Sequence, residues 1–201
     1  IAFGILAPEL PIVTPIRDGH VQRPEARAWL ESRGIPLPPE SGEYSINKGI
    51  WGTTWGGGWT HDTWAGPPDG LLDPPADAPA AREIVVGWRA GIPASIDGRT
   101  FAGPELVEAL DVLSDAYGIG RAIHTGETAL GIKGRIGFSA GPAHLLISAH
   151  AELEKLVLTR WQIFWKETLA RFYGDRLHEG QWFARALRDI EAFFAATQAR
   201  V

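Results

Sequence analysis

Two cations, Lys133 and Arg135, stand two residues apart in Gly131-Ile132-Lys133-Gly134-Arg135. In a strand, alternate side chains share a face, so these two would lie side by side. Neighbouring like charges repel unless an anion sits between them. A substrate carboxylate or phosphate is one occupant; solvation, or partners among Asp and Glu, is the other reading. A second polar set is hydroxylic. Ser45, Thr53 and Thr54 lie in a segment that also holds Gly49, Gly52, Gly56, Gly57 and Gly58. Glycine permits unusual backbone angles and close approach to a ligand. The hydroxyls beside it can donate to a carboxylate or accept from an amine. No Gly-Lys-Ser/Thr follows, so this is not a P-loop. A flexible turn cluster is the alternative.

Other chemistries find less support. His20, His61, His124, His144, His150 and His178 are scattered. His144 and His150 are six apart, which does not bring them together as an i, i+4 pair would, so no metal site is expected. His61-Asp62 is the pair that remains of interest. There is no cysteine, which removes disulfides, thiol catalysis and Cys-ligated zinc. No Gly-x-Ser-x-Gly elbow is present, and Ser139, before Ala140-Gly141-Pro142, suits a turn or helix-cap hydroxyl. Trp51, Trp55, Trp59 and Trp64 suit stacking on a sugar or peptide, although large aromatics more often fill cores or subunit contacts.

The elements that must position these groups follow from local pattern. Ala7 to Pro15 predicts a short strand feeding a loop, and Pro24 opens a helix through Ser32 with Gly34 as its cap. The Pro-interrupted stretch from Ile35 to Pro39 is extended. From Tyr44 to Trp64 no helical or strand period persists. Residues 67–79 form a Pro-rich surface connection. Ile84 to Trp88 predicts a strand, and Asp97-Gly98 a hairpin turn between Ile92–Ile96 and Arg99–Phe101. Pro104 to Asp115 is an amphipathic helix, and Ile119 to Phe138 a β segment with turns. Three helices close the chain. Pro142 opens the first, through about Leu158. The second carries Trp161, Phe164, Trp165, Leu169, Phe172 and Tyr173 and stops at Gly180. The third runs from Ala184 to Ala196.

With 201 residues, 45% apolar and 21% charged, the chain can bury a core of one domain or a large piece of one. A net charge of −5 opposes a nucleic-acid-binding surface, which needs clustered cations. No apolar run is long enough to span a bilayer, so no membrane partner is expected. Ile1-Ala2-Phe3-Gly4 has no basic n-region, so a signal peptide is not expected. The start without Met suggests an internal cut, with a Met-poor natural sequence as the alternative.

Several segments together resemble the argininosuccinate synthase family. Tyr44-Ser45-Ile46-Asn47 resembles its Tyr-Ser-x-Asp entry to a substrate loop, and Trp51, Gly57-Gly58 and Asp62-Thr63-Trp64 resemble the rest of that loop. Gly34-Ile35-Pro36-Leu37-Pro38 is similar to Gly-Ile-Pro-x-Pro, and Ala7-Pro8-Glu9-Leu10 through Pro15 and Arg17 to the segment before it. Gly118-Ile119-Gly120-Arg121 resembles Gly-Val-Gly-Arg, and Gly131 to Arg135 resembles Gly-x-Lys-Ser-Arg-Gly. Ala149-His150, Leu153-Glu154 and Gly180-Gln181-Trp182-Phe183 resemble the helical end. The order and spacing hold along nearly the whole chain.

The resemblance implies an α+β synthetase-type domain: a mixed or antiparallel sheet with C-terminal helices. It implies that residues 1–201 are a synthetase-domain fragment lacking the family's N-terminal nucleotide-binding domain and its Ser-Gly-Gly-Leu-Asp loop. The implied reaction is ATP-dependent ligation of citrulline to aspartate in arginine biosynthesis. ATP with Mg would be held mainly by the missing domain. A cytoplasmic homotetramer is implied as well. Residue by residue, Ser45 and Thr54 match two substrate-binding serines, and Phe138 a substrate-binding Tyr. The substrate-binding Glu falls at Gly126 in ungapped register, with Glu127 one place along; a slip of one would turn that side chain to the other face. Substrate binding is therefore expected at Ser45, Thr54, Glu127 and Phe138, with Lys133 and Arg135 as possible anion binders. Two alternatives stay open: a ligase for another ureido or amino-acid substrate, and a non-catalytic small-molecule-binding or oligomerisation remnant.

Overall fold

The computed structural model describes residues 2–37, 44–128 and 131–201, which form two compact units divided near Gly42. The Pro38–Pro39 end of the expected extended stretch, and Ala129-Leu130 in the expected β segment, lie outside the described residues.

The first unit is helical: α1 (Ala2–Leu6), α2 (Pro15–Asp18) and α3 (Arg23–Ser32). The strand expected between Ala7 and Pro15 is absent. Pro8 and Pro11 have no N–H to give a ladder, and Pro15 occupies the start of α2, where a missing donor costs nothing. At the start of α3 the Gln22 backbone N–H donates to Glu25 Oε2 at 3.2 Å, satisfying a group that the helix leaves unpaired. Ile16, Val21, Ala26, Trp29 and Leu30 line an apolar groove along this unit.

In the second unit, β1 (Tyr44–Gly49), β2 (Gly52–Gly57), β6 (Arg121–Glu127) and β7 (Lys133–Ser139) form an antiparallel sheet in the order β1-β2-β7-β6. β3 (Val86–Arg89), β4 (Ile92–Ile96) and β5 (Arg99–Thr100) form a smaller antiparallel sheet. The helices are α4 (Gly103–Ala116), α5 (Gly141–Val157), α6 (Arg160–His178) and α7 (Arg185–Gln198). The architecture is thus α+β with antiparallel sheets and C-terminal helices. The Gly- and Trp-rich stretch is strand after all. Its glycines hide the alternation, and cross-strand pairing rather than apolar period makes the hairpin. Gly52, at φ +135°, is required at its turn, because a Cβ there would stand 1.9 Å from the Ser139 carbonyl oxygen.

The core lies between α4, α5 and the small sheet. Leu106, Leu110 and Leu146 are buried, with Val86, Trp88 and Ile96 packed against them. The Asp97-Gly98 turn appears as expected, both residues taking positive φ, as a tight two-residue hairpin requires. α6 begins at a capping box: the Thr159 N–H donates to Gln162 Oε1 at 3.0 Å, and the Gln162 N–H donates back to Thr159 Oγ1 at 3.4 Å. Glu154 joins the last three helices. Its carboxylate, 2% exposed, accepts from Lys166 Nζ at 2.8 Å and from Gln198 Nε2 at 2.6 Å. No helix among the described residues is long and apolar enough to cross a membrane.

Candidate functional site

The register of the larger sheet decides which side chains share a face. Asn47 is paired with Thr54, Thr54 with Phe138, and Phe138 with Ala122. Directly opposed residues of antiparallel strands point to the same side, roughly 5 Å apart. One row across all four strands is therefore Asn47, Thr54, Phe138 and Ala122. Alternation adds Ser45 on β1, Ile136 on β7, and His124 and Gly126 on β6 to the same face. Two hydroxyls, an amide, a phenyl ring and an imidazole thus share one surface. Thr54 and Phe138 are half-buried, while Ser45, Asn47 and His124 are exposed. A cavity of about 650 Å³ continues along it and round the β6 edge, lined by His124, Gly126, Glu127, Thr128, Gly134, Arg135 and Ile136 with Asp175 and His178 of α6.

Glu127 does not join this face. It pairs with Lys133 across β6–β7, on the side opposite Gly126, and its Oε1 lies 2.6 Å from Lys133 Nζ. Both side chains are largely exposed. Lys133 and Arg135 do share a face, but no anion is needed to reconcile them. Lys133 has Glu127. Arg135 donates to the backbone carbonyls of Asp62 at 2.5 Å and Ala65 at 3.1 Å, and its guanidinium lies 5.1 Å from the Trp59 ring. A planar fork meeting two carbonyls and a ring face is a fixed structural clamp.

That second face is covered in part. Trp59, on the 3-10 turn Gly58–His61, is buried against Gly137. Arg121 reaches Asp115 of α4 at 2.6 Å and the Asp73 carbonyl in the Pro-rich connection. A small cavity of about 180 Å³ remains there, lined by Lys48, Thr53, Asp111, Arg121 and Ser139 among others. Ser139 ends β7 and is not the cap of α5, whose N-cap is Ala140. His61 closes the 3-10 turn, and Asp62 accepts from the Trp64 backbone N–H at 2.9 Å. Of the loop tryptophans, Trp59 serves the core whereas Trp64 is 94% exposed.

A model of the arginosuccinate synthase C-terminal domain matches residues 44–201. The chain belongs to the argininosuccinate synthase family. It is 32% identical to argininosuccinate synthase of Methanocaldococcus jannaschii over 200 residues, 98% of this chain and 51% of that protein. It is 33% identical to that of Bacillus subtilis and 34% to that of Bacillus velezensis, each over 206 residues, all of this chain and 51% of those proteins. The chain thus spans about half the length of the curated relatives it matches. The C-terminal-domain match begins at Tyr44, the first residue of β1. Of the four residues expected to bind substrate, Ser45, Thr54 and Phe138 lie on the shared face and Glu127 does not; Gly126, the position given by ungapped register, lies on it but brings no side chain. Asn47 and His124, not expected as substrate-binding residues, also lie on this face. Each is two residues from a named position, and that spacing is the signal that finds them.

Proposed function

We propose that this chain is the synthetase portion of an ATP-dependent carbon–nitrogen ligase that joins a ureido compound, by default citrulline, to aspartate, releasing AMP and pyrophosphate. The single observation that carries the reading is the common face of Ser45, Thr54, Gly126 and Phe138, within a chain of the argininosuccinate synthase family. A ureido carbonyl is a poor electrophile because its nitrogens donate into it. Adenylating its oxygen makes a leaving group, and the aspartate amine then attacks that carbon as AMP departs. Such a reaction depends on positioning and on stabilising developing charge.

In this reading the Ser45 and Thr54 hydroxyls hold the amino-acid end of the ureido substrate against the sheet. Phe138 supplies an apolar wall between them and β6. ATP and Mg belong to a nucleotide-binding domain joined to this one. The enzyme acts in the cytoplasm as a homo-oligomer, and the half-exposed aromatics of α6, Trp161, Phe164, Trp165 and Phe172, suit subunit contacts. The test is isotope exchange between pyrophosphate and ATP, on the protein at the full length its gene encodes. Exchange that requires a ureido compound supports the ligase. Exchange with none of a panel of ureido compounds overturns it.

A further inference from the structure

The second face of the larger sheet carries a row of its own. Lys48 pairs with Thr53, Thr53 with Ser139, and Ser139 with Arg121. Opposed residues of antiparallel strands point to one side, so the row runs cation, hydroxyl, hydroxyl, cation across all four strands. All four residues line the cavity of about 180 Å³. α4 adds Asp111 and Asp115 to the lining, four residues apart and therefore on one helix face. The Arg121 guanidinium donates to Asp115 Oδ1 at 2.6 Å and to the Asp73 carbonyl, which commits one cation and one carboxylate of the wall to each other. Lys48 and Asp111 are left. Among the described residues neither forms an ion pair, with the other or with a third group, and the Thr53 and Ser139 hydroxyls make no hydrogen bond.

A cation and a carboxylate that face one cavity without meeting suit a ligand that carries both charges. An anion alone would attract Lys48 but repel Asp111, and a cation alone would do the reverse. A zwitterion answers both, with its carboxylate at Lys48 and its ammonium at Asp111. The Thr53 and Ser139 hydroxyls can then donate to the carboxylate oxygens. The volume equals that of about six water molecules, room for a compound of a few carbons. We propose that this cavity binds a small amino acid as its zwitterion, on the face of the sheet opposite Ser45 and Thr54. The site is independent of the ligase reading, since none of its four polar groups belongs to that substrate face.

Trp55 lines the same cavity, so its fluorine NMR resonance reports occupancy. The protein, at the full length its gene encodes, would carry fluorotryptophan, and Trp55→Phe would assign the signal. Glycine, β-alanine and γ-aminobutyrate, which space the two charges progressively further apart, would be titrated beside propanoate and propylamine, which carry one charge each. At least one of the three zwitterions should bind about tenfold tighter than either control, the worth of one charge-assisted hydrogen bond. Lys48→Met and Asp111→Asn should each abolish that advantage, and Thr54→Val should leave it. If Asp111→Asn does not fold, as judged by circular dichroism, Lys48→Met decides alone, because that side chain is exposed. Zwitterions that bind no tighter than the controls overturn the proposal and leave a hydrated cleft or a simple ion site. An advantage that survives Lys48→Met or a folded Asp111→Asn also overturns it. So does one lost in Thr54→Val, which would place the amino acid on the other face. Failure of the pyrophosphate exchange would sink the ligase reading and leave this result untouched.

Discussion

Thr54 stands directly across the β2–β7 ladder from Phe138. Residues 84 positions apart in the chain are thereby neighbours, a hydroxyl beside an apolar ring. The pairing is what makes one surface of two segments that the sequence presents as unrelated.

Thr54→Val keeps the β-branched shape and removes only the hydroxyl. Thr54 is half-buried, so stability should change little. Affinity for the ureido substrate should fall by about 1–3 kcal/mol, the range for a polar ligand group left unpaired. Titration calorimetry checks this; unchanged affinity would remove Thr54 from the site.

Arg135 and Lys133 should respond differently to truncation. Arg135→Ala strips two backbone carbonyls and the Trp59 ring of their partner, and should cost about 1–3 kcal/mol. Lys133→Ala breaks an exposed pair and should cost under about 1 kcal/mol. Urea denaturation followed by Trp fluorescence measures both. A ligand affinity that drops in Lys133→Ala would show that this lysine meets an anion in addition to Glu127.

Lys166→Met should be costly, because the part-buried lysine neutralises a buried carboxylate. It leaves the buried Glu154 carboxylate without its cation, though still bonded to Gln198. A loss on the order of 3 kcal/mol is expected. Adding Glu154→Gln should recover part of it, since the stranded charge goes with the carboxylate. A single-variant denaturation midpoint equal to wild type would contradict the picture.

His150 carries a pH dependence. It packs against Trp88 at 4.6 Å between ring centroids, with Nδ1 3.4 Å from Glu154. Burial, chiefly, lowers its pKa below the ordinary 6.5; the nearby Lys166 lowers it further, while Glu154 and Gln198 oppose the shift. The unfolded chain then binds the proton more readily than the folded one. His150 therefore contributes stability that is present above pH 6.5 and lost as pH falls toward its folded value. His150→Phe should lose less stability than wild type between pH 7.5 and 5.5, read from urea midpoints; an equal or larger loss would show that His150 is not the titrating group.

The sequence by itself determined the helices from α3 onward, the Asp97-Gly98 hairpin, the family and the α+β class. Each rests on local period, caps or turn residues, which act within a few positions of the chain. Tertiary structure alone decided the rest. The glycines of β1 and β2 carry no alternation to read, so only their pairing with each other and with β7 reveals strands. Pro15 supports a strand end or a helix start equally on local grounds. Whether position 126 or 127 meets the hydroxyls of Ser45 and Thr54 is a question of parity, and parity is set by the ladder that pairs Gly126 with Gly134 and Glu127 with Lys133. A one-residue difference turns a side chain to the opposite face. That is why His124, Thr54 and Phe138 share a surface while Glu127 does not.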